Sequence, residues 1–274
     1  MFFYHKFIVC IFCMLGLCFS TIIVKAQELY VSAEPASTMP SRSIIFKQGY
    51  SYMKGENGSV ENSVNNFNSQ LEFSLNKKWM AHIGTNYTSW NFYTQYRFFS
   101  KDAIHEHLRM ALYFKSIQSS KNAIATNAIL LEGEESVIQG GFIITQLKHK
   151  WASSLSVGPV LKRESLASNG AGGLQYSFSN GVLLYPKSYT SYGQTNVNLY
   201  LEFIGQSLFS GKAHYFDVAP AIQFIFNSQA KLNLSYRLPL VNQTNRATYN
   251  TASISWDYLF FNAIPKRKFI NVSN

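Results

Sequence analysis

The chain has 274 residues, of which 47% are apolar, 16% aromatic and only 14% charged. A soluble domain typically carries about 25% charged residues, so this composition argues against an ordinary water-solvated surface. The formal net charge of +10 is dispersed along the chain, and no basic patch interleaves with aromatics as a nucleic-acid binder requires.

The first 26 residues read as an export signal. Lys6 precedes an apolar run from Phe7 to Phe19, and small Ala26 stands before Gln27. A charged start, a short hydrophobic stretch and a small-residue cleavage site are the marks of a secretory signal peptide. The run falls short of the roughly 20 residues a spanning helix needs. Cys10, Cys13 and Cys18 all lie in this segment. Leu17 before Cys18 is bulkier than a lipid-anchored cysteine usually allows. The chain from Gln27 onward has no cysteine, so it has no disulfide and no thiolate nucleophile or metal ligand. Without Lys6 and Lys25 it holds 22 basic and 14 acidic residues, a net charge of +8.

Residues 27–42 contain "EPASTMP" (Glu34 to Pro40) and read as a periplasmic leader segment, either a plug for the barrel mouth or an ordered tether. Twelve segments of alternating polarity follow, near 43–53, 67–75, 79–88, 90–99, 105–117, 136–147, 151–162, 171–184, 194–206, 214–226, 230–240 and 248–260. Alternation places successive side chains on opposite faces of a strand. Most segments reach the 9–11 residues that a tilted membrane strand requires. Short turns such as "NKK" (Asn76 to Lys78), "KHK" (Lys148 to Lys150) and "NSQ" (Asn227 to Gln229) alternate with longer polar loops. Outer-membrane barrels show that pattern, with short turns in the periplasm. The link from Tyr87 to Trp90 is an exception, being short where a long loop is due. "NAIATNAILLEG" (Asn122 to Gly133) reads as an extracellular excursion, because an even strand number is favoured. Pro159 and Pro220 cannot donate to a ladder, and local bulges are expected there. Trp79, Trp151, Phe98, Phe99, Phe226, Phe260 and Phe261 fall at one level and suggest an aromatic girdle. A basic tail, 262–274, closes the chain.

The expected fold is therefore all-β: a transmembrane antiparallel up-and-down barrel of about twelve strands over 43–261. One face of the segments carries Lys47, Glu72, His82, Arg97, His107, Arg109, Lys115, Glu202, Asp217, Arg237 and Asp257. The other carries residues such as Leu71, Phe92, Leu112, Leu199, Leu201, Leu234 and Trp256, nearly without charge. A Lys or Arg facing lipid at the midplane costs about 2–4 kcal/mol, so the apolar face is assigned to lipid and the charged face to a lumen. Strand adjacency couples Glu202 with Asp217, Arg237 with Asp257, and, on closure, Lys47 with Asp257. The near balance of five bases and four acids argues against a strongly ion-selective pore. These residues are a solute path or a structural ion-pair network.

Little else points to chemistry. A barrel lipase needs a serine with a histidine base, and His82, His149 and His214 have no serine nearby in strand context. His105 and His107 of "HEH" share a strand face but lack further ligands, so no metal site is assigned. "GAGG" (Gly170 to Gly173) precedes a strand rather than a helix and is no phosphate cradle. No cofactor is expected.

Three stretches, "ELYVSAEPASTMPSRSI" (Glu28 to Ile44), "LRMALYFK" (Leu108 to Lys115) and "YPKSYTSYGQTNVNLYLEFIGQ" (Tyr185 to Gln206), resemble an uncharacterised family of outer-membrane barrel proteins from Bacteroidetes-type bacteria. The resemblance covers most of the chain after the signal and is weakest at Ser119 to Ser136 and after Phe261. It implies an outer-membrane location and a soft association with heavy-metal handling genes, and it assigns no site residue. The expectation is a passive or substrate-biased channel for small polar solutes, with outer-membrane lipid and the barrel-assembly machinery as partners. The alternative is a non-conducting scaffold barrel with a side-chain-filled lumen, and a barrel hydrolase ranks third.

Overall fold

The computed structural model describes residues 30–55, 63–86, 88–104, 106–120, 136–163, 172–188, 193–209, 214–243 and 248–265. Among them twelve strands follow in chain order: β1 (Ile44–Gly55), β2 (Val64–Ser74), β3 (Trp79–Thr85), β4 (Ser89–Asp102), β5 (Glu106–Ser119), β6 (Val137–Lys148), β7 (Trp151–Lys162), β8 (Gly172–Tyr185), β9 (Asn196–Leu208), β10 (His214–Phe226), β11 (Ala230–Asn242) and β12 (Thr248–Phe260). Each pairs antiparallel with its chain neighbour, and β1 pairs with β12 to close the ring. Closure removes every free edge, so the backbone groups of the wall find partners within it. The predicted signal, the stretch Asn122 to Gly133, His105 and most of the basic tail lie outside the described residues.

The alternation fixes which side chains go in. Ile45, Glu72, His82, Tyr93, Tyr200, Glu202, Asp217 and Asp257 are buried. Their chain neighbours Phe46, Leu71, Ile83, Phe92, Leu199, Leu201 and Trp256 are exposed on the outer wall. The opening of the barrel is thus polar inside and apolar outside, the reverse of a water-soluble barrel with a greasy core.

Turn chemistry ties the strands at one end. Asn227 and Ser228 both adopt positive φ (51° and 55°), as a tight hairpin turn needs. The Gln229 N–H closes that turn on the Phe226 carbonyl at 3.0 Å. The Asn76 side chain accepts the Lys78 and Trp79 N–H groups at 2.7 and 2.9 Å. At the opposite end the short link between β3 and β4 is real. There Asn86 Oδ1 accepts the Ser89 N–H at 2.8 Å, the side-chain turn that Asn forms readily.

Trp79, Trp151, Phe98, Phe99, Phe260 and Phe261 are exposed near the short-turn end, while Phe226 is half-buried. Phe98 and Phe99 are consecutive, and strict alternation would hide one of them. A register shift between Arg97 and Phe99 turns both outward. The prolines behave differently from the expected bulges. The register of β7 against β8 runs unbroken through Pro159, and that of β10 against β9 through Pro220. The shift on β10 sits earlier, between Phe216 and Asp217. The proline instead faces a gap in the ladder to its other neighbour, where a missing N–H costs nothing further.

Gly158 leaves no room for a side chain against the main chain of β6. A Cβ there would collide with the Gly140 carbonyl oxygen and with the Gly141 Cα, neither of which can move independently of β6. Gly158→Val is therefore expected to destabilise the barrel by at least about 1–3 kcal/mol. A lowered urea midpoint in lipid vesicles, with Ser156→Val as the inward-facing control, checks this.

Candidate functional site

The chain before β1 turns back into the barrel. Tyr30 and Ala36 are buried (8% and 0% exposed). The Val31 and Ser32 N–H groups donate to the two carboxylate oxygens of Glu202, at 3.0 and 2.8 Å. The Ala36 N–H donates to Thr145 Oγ1 at 2.8 Å, and Gln95 Nε2 donates to the Pro35 carbonyl at 3.0 Å. Arg109 Nη1 donates to Ser37 Oγ at 2.9 Å. Tyr30 meets Tyr200 edge-on, with ring centroids 5.6 Å apart, and Ala36 packs against Ala111 and Ile143. Residues 30–41 thus run from the root of β1, past β4, β5 and β6, to β9. They form a crossing segment inside the lumen.

A carboxylate suits that anchorage. Two consecutive backbone donors with no strand partner need strong acceptors, and charge-assisted bonds are about twice as strong as neutral ones. Glu202 has no exposed surface, so its own desolvation is offset by those donors. The expected coupling of Glu202 with Asp217 does not form, since the carboxylate is turned to the crossing segment.

The other charged groups sort as follows. Asp217 is fully buried and accepts a 2.7 Å bond from Arg237 Nε. The expected Arg237–Asp257 couple is therefore replaced: in register Arg237 faces Thr251, and Asp257 lies six positions further along β12. Asp257 faces Lys47 across the closing pair and Lys231 across β11. Arg109 pairs with Asp102 at 3.0 Å, and Arg97 donates to the Lys77 carbonyl. Glu72 Oε1 accepts from Gln70 at 2.7 Å. His82, buried, stacks on Tyr93 with centroids 4.7 Å apart, and Tyr93 stacks on Tyr113 at 5.9 Å.

Three contributors were not singled out from the sequence. Lys231 is buried and inward, on the same parity as Arg237. Glu34 enters from the crossing segment. A neutral ladder also circles the wall: Asn198 and Tyr200 donate to Gln223, Gln223 to Asn233, and Asn233 to Ser255. Amides offer both donors and acceptors, so they satisfy one another across four strands without charge.

Two cavities remain around the crossing segment. A smaller one, about 310 Å³, lies on the long-loop side and is lined by Lys115, Gln139, Ser177 and Arg237 among others. A larger one, about 610 Å³, lies on the short-turn side and is lined by Lys77, Arg97, Arg109, Lys231 and Asp257 among others. Of the sequence-predicted residues, Lys47 borders both, His82, Lys115 and Arg237 the first, and Glu72, Arg97, His107, Arg109 and Asp257 the second. Glu202 and Asp217 border neither, being committed to the crossing segment and to Arg237.

No protein-family model and no curated protein matches the sequence. Solved structures do. The barrel is similar to an outer-membrane channel from Pseudomonas putida F1, with a TM-score of 0.50 and 11% identity, over 84% of this chain and 100% of that one. It is equally similar to the NanC porin, with a TM-score of 0.50 and 8% identity, over 78% of this chain and 98% of that one. At these identities the likeness is one of architecture: the chain has the closed twelve-stranded barrel fold of outer-membrane channels.

Proposed function

We propose that this protein is an outer-membrane channel for small polar solutes, with residues 30–41 as its internal constriction. The observation that carries this reading is the polar, cavity-bearing interior inside a wall whose outer surface is apolar. Hydrocarbon is the solvent such an outer surface requires. The channel-type fold agrees with it, although fold alone does not decide activity. On this reading the short turns and the crossing segment's root face the periplasm, lipid is the outer partner, and the barrel-assembly machinery inserts the chain after export.

The resemblance to Bacteroidetes-type barrels adds an association with heavy-metal handling. The proposed solutes are polar molecules and hydrated ions, in keeping with the polar and charged side chains that line both cavities. The second reading, a sealed scaffold, is favoured by the burial of Tyr30 and Ala36 and by the bonds holding the crossing segment. A hydrolase reading has no observation in its favour.

Single-channel recording of the purified protein in planar bilayers tests the proposal: discrete openings are expected, and a persistently silent, correctly folded barrel would support the scaffold instead. The lipid assignment has its own test. Leu201 is 37% exposed in the middle of β9, and Leu201→Arg is expected to cost about 2–4 kcal/mol in vesicle refolding. The inward-facing Gln175→Arg should cost much less, and equal costs would contradict the assignment.

A further inference from the structure

The outer wall is not equally apolar all round. On β6 the buried Thr145 and Leu147 alternate with Gln146 and Lys148, which face outward and are exposed. On β7 the buried Ala152 and Ser154 likewise turn Trp151 and Ser153 outward. In register Lys148 lies opposite Trp151, and Gln146 opposite Ser153. Lys101 of β4 is exposed and joins the same face, since it lies opposite Leu108, which in turn lies opposite Gln146. Resting on the assignment of this surface to lipid, we propose that the short-turn end of β4–β7 is a binding site for the headgroup of an anionic phospholipid.

The turn between β10 and β11 shows the same level of the wall with ordinary lipid-facing pairs. There Phe226 lies opposite Ala230 and Phe224 opposite Leu232. Charge sets the class of ligand at β4–β7. Lys148 Nζ is 4.0 Å from Glu106 Oε1, and both side chains are more than half exposed (64% and 52%). An exposed ion pair of that length contributes little. Asp102, the other acid of the β4–β5 turn, accepts from Arg109. Lys101, Lys148 and Lys150, the last in the β6–β7 turn, therefore outnumber Glu106 around this rim. Lysines held at a membrane surface attract anionic headgroups.

Depth supplies the second observation. Trp151 marks the headgroup level, and Gln146 and Ser153 stand two residues further into the wall. Ser153 Oγ donates to Asn180 Oδ1 at 2.6 Å, whereas Gln146 is exposed. Hydrocarbon offers an amide no partner. The phosphate and glycerol-ester oxygens of a lipid drawn in beside the lysines do. The register shift that turns both Phe98 and Phe99 outward adds an apolar floor for the acyl chains. Phe98 packs there on Phe142 of β6, with centroids 5.8 Å apart.

Full-length protein in phosphatidylcholine vesicles with a minor fraction of brominated phosphatidylglycerol tests this. Bromine quenches nearby indoles, and the share of quenching that Trp151→Phe abolishes reports the site. That share is expected to be severalfold larger than with brominated phosphatidylcholine at the same fraction. Lys101→Gln combined with Lys148→Gln should bring it down to the phosphatidylcholine level. Gln146→Leu, which changes no charge, should lower it as well. Lys78→Gln combined with Lys187→Gln removes the same charge from exposed positions elsewhere on the rim and should leave it unchanged. Heat-modifiable gel mobility establishes that each variant is a folded barrel. Equal quenching by the two lipids in the wild type overturns the proposal. So does a control pair that loses as much as the site pair, or a Gln146→Leu variant that loses nothing. A protein that enters vesicles of neither composition overturns the lipid assignment itself, and the proposal with it.

Discussion

Deleting residues 30–41 is expected to raise single-channel conductance several-fold while leaving the barrel folded. The crossing segment contributes no strand to the wall, whose ring is closed by β1 against β12. Its bonds to the wall go mostly to side chains, Glu202, Thr145, Gln95, Arg109 and Ser74, with the Lys77 carbonyl and the Ser43 N–H as main-chain partners, and water can serve these groups once it is gone. The two cavities would merge into one path. Retaining Arg42 keeps its N–H bond to the Ser74 carbonyl, at 2.8 Å, and so the start of β1. A graded version removes the anchor alone. In Glu202→Gln the amide oxygen can accept one of the Val31 and Ser32 N–H groups, but the amide nitrogen then sets donor against donor. Intermediate conductance with more frequent transitions is expected. A deletion variant that conducts like the wild type would show that the segment does not constrict the path.

Arg237→Met is expected to be the most damaging single change inside the lumen. Asp217 has no exposed surface, and Arg237 Nε lies 2.7 Å from its carboxylate. The guanidinium also sits over the Tyr215 ring, 5.9 Å from its centroid. Removing the cation leaves a buried carboxylate facing apolar methylenes, a situation that costs about 3–5 kcal/mol. Asp217→Asn is expected to cost clearly less, because Arg237 borders the smaller cavity and can be hydrated there. Urea midpoints of the two variants in lipid vesicles decide the matter. Equal losses would mean that Asp217 is compensated mainly by groups other than Arg237.

The barrel itself was legible because its physics is local. The twelve segments were readable because each strand writes its two solvents into alternate positions, as in Asn198, Leu199, Tyr200, Leu201 and Glu202. What was not legible is whatever depends on stagger between strands. Arg237 and Asp257 lie on neighbouring strands, but their register sets them six positions apart, and Asp217 takes the arginine instead. The outward turn of both Phe98 and Phe99 depends on a register shift that no alternation rule anticipates. Lys231 shares the inward parity of Asn233 and Arg237, yet it follows a turn closely and looks like a solvated turn lysine. The crossing segment was legible only as an open choice between a plug and a tether. It is held largely through its own main chain, and a backbone N–H aimed at Glu202 leaves no mark in residue types.

The root of the crossing segment has a bearing on how the molecule is put together. Arg42 accepts the Ile264 N–H at its carbonyl, at 3.1 Å, and donates through Nη2 to Asn262 at 2.8 Å. The beginning and the end of the wall are thus buttoned at one spot, beside the seam where the cylinder shuts. The docking surface for Val31 and Ser32, on β9, exists only after the middle of the chain has curled round. Insertion of the segment must therefore be a late event in biogenesis, and a cylinder sealed before its own leading stretch has tucked in would have to admit it by threading from the rim.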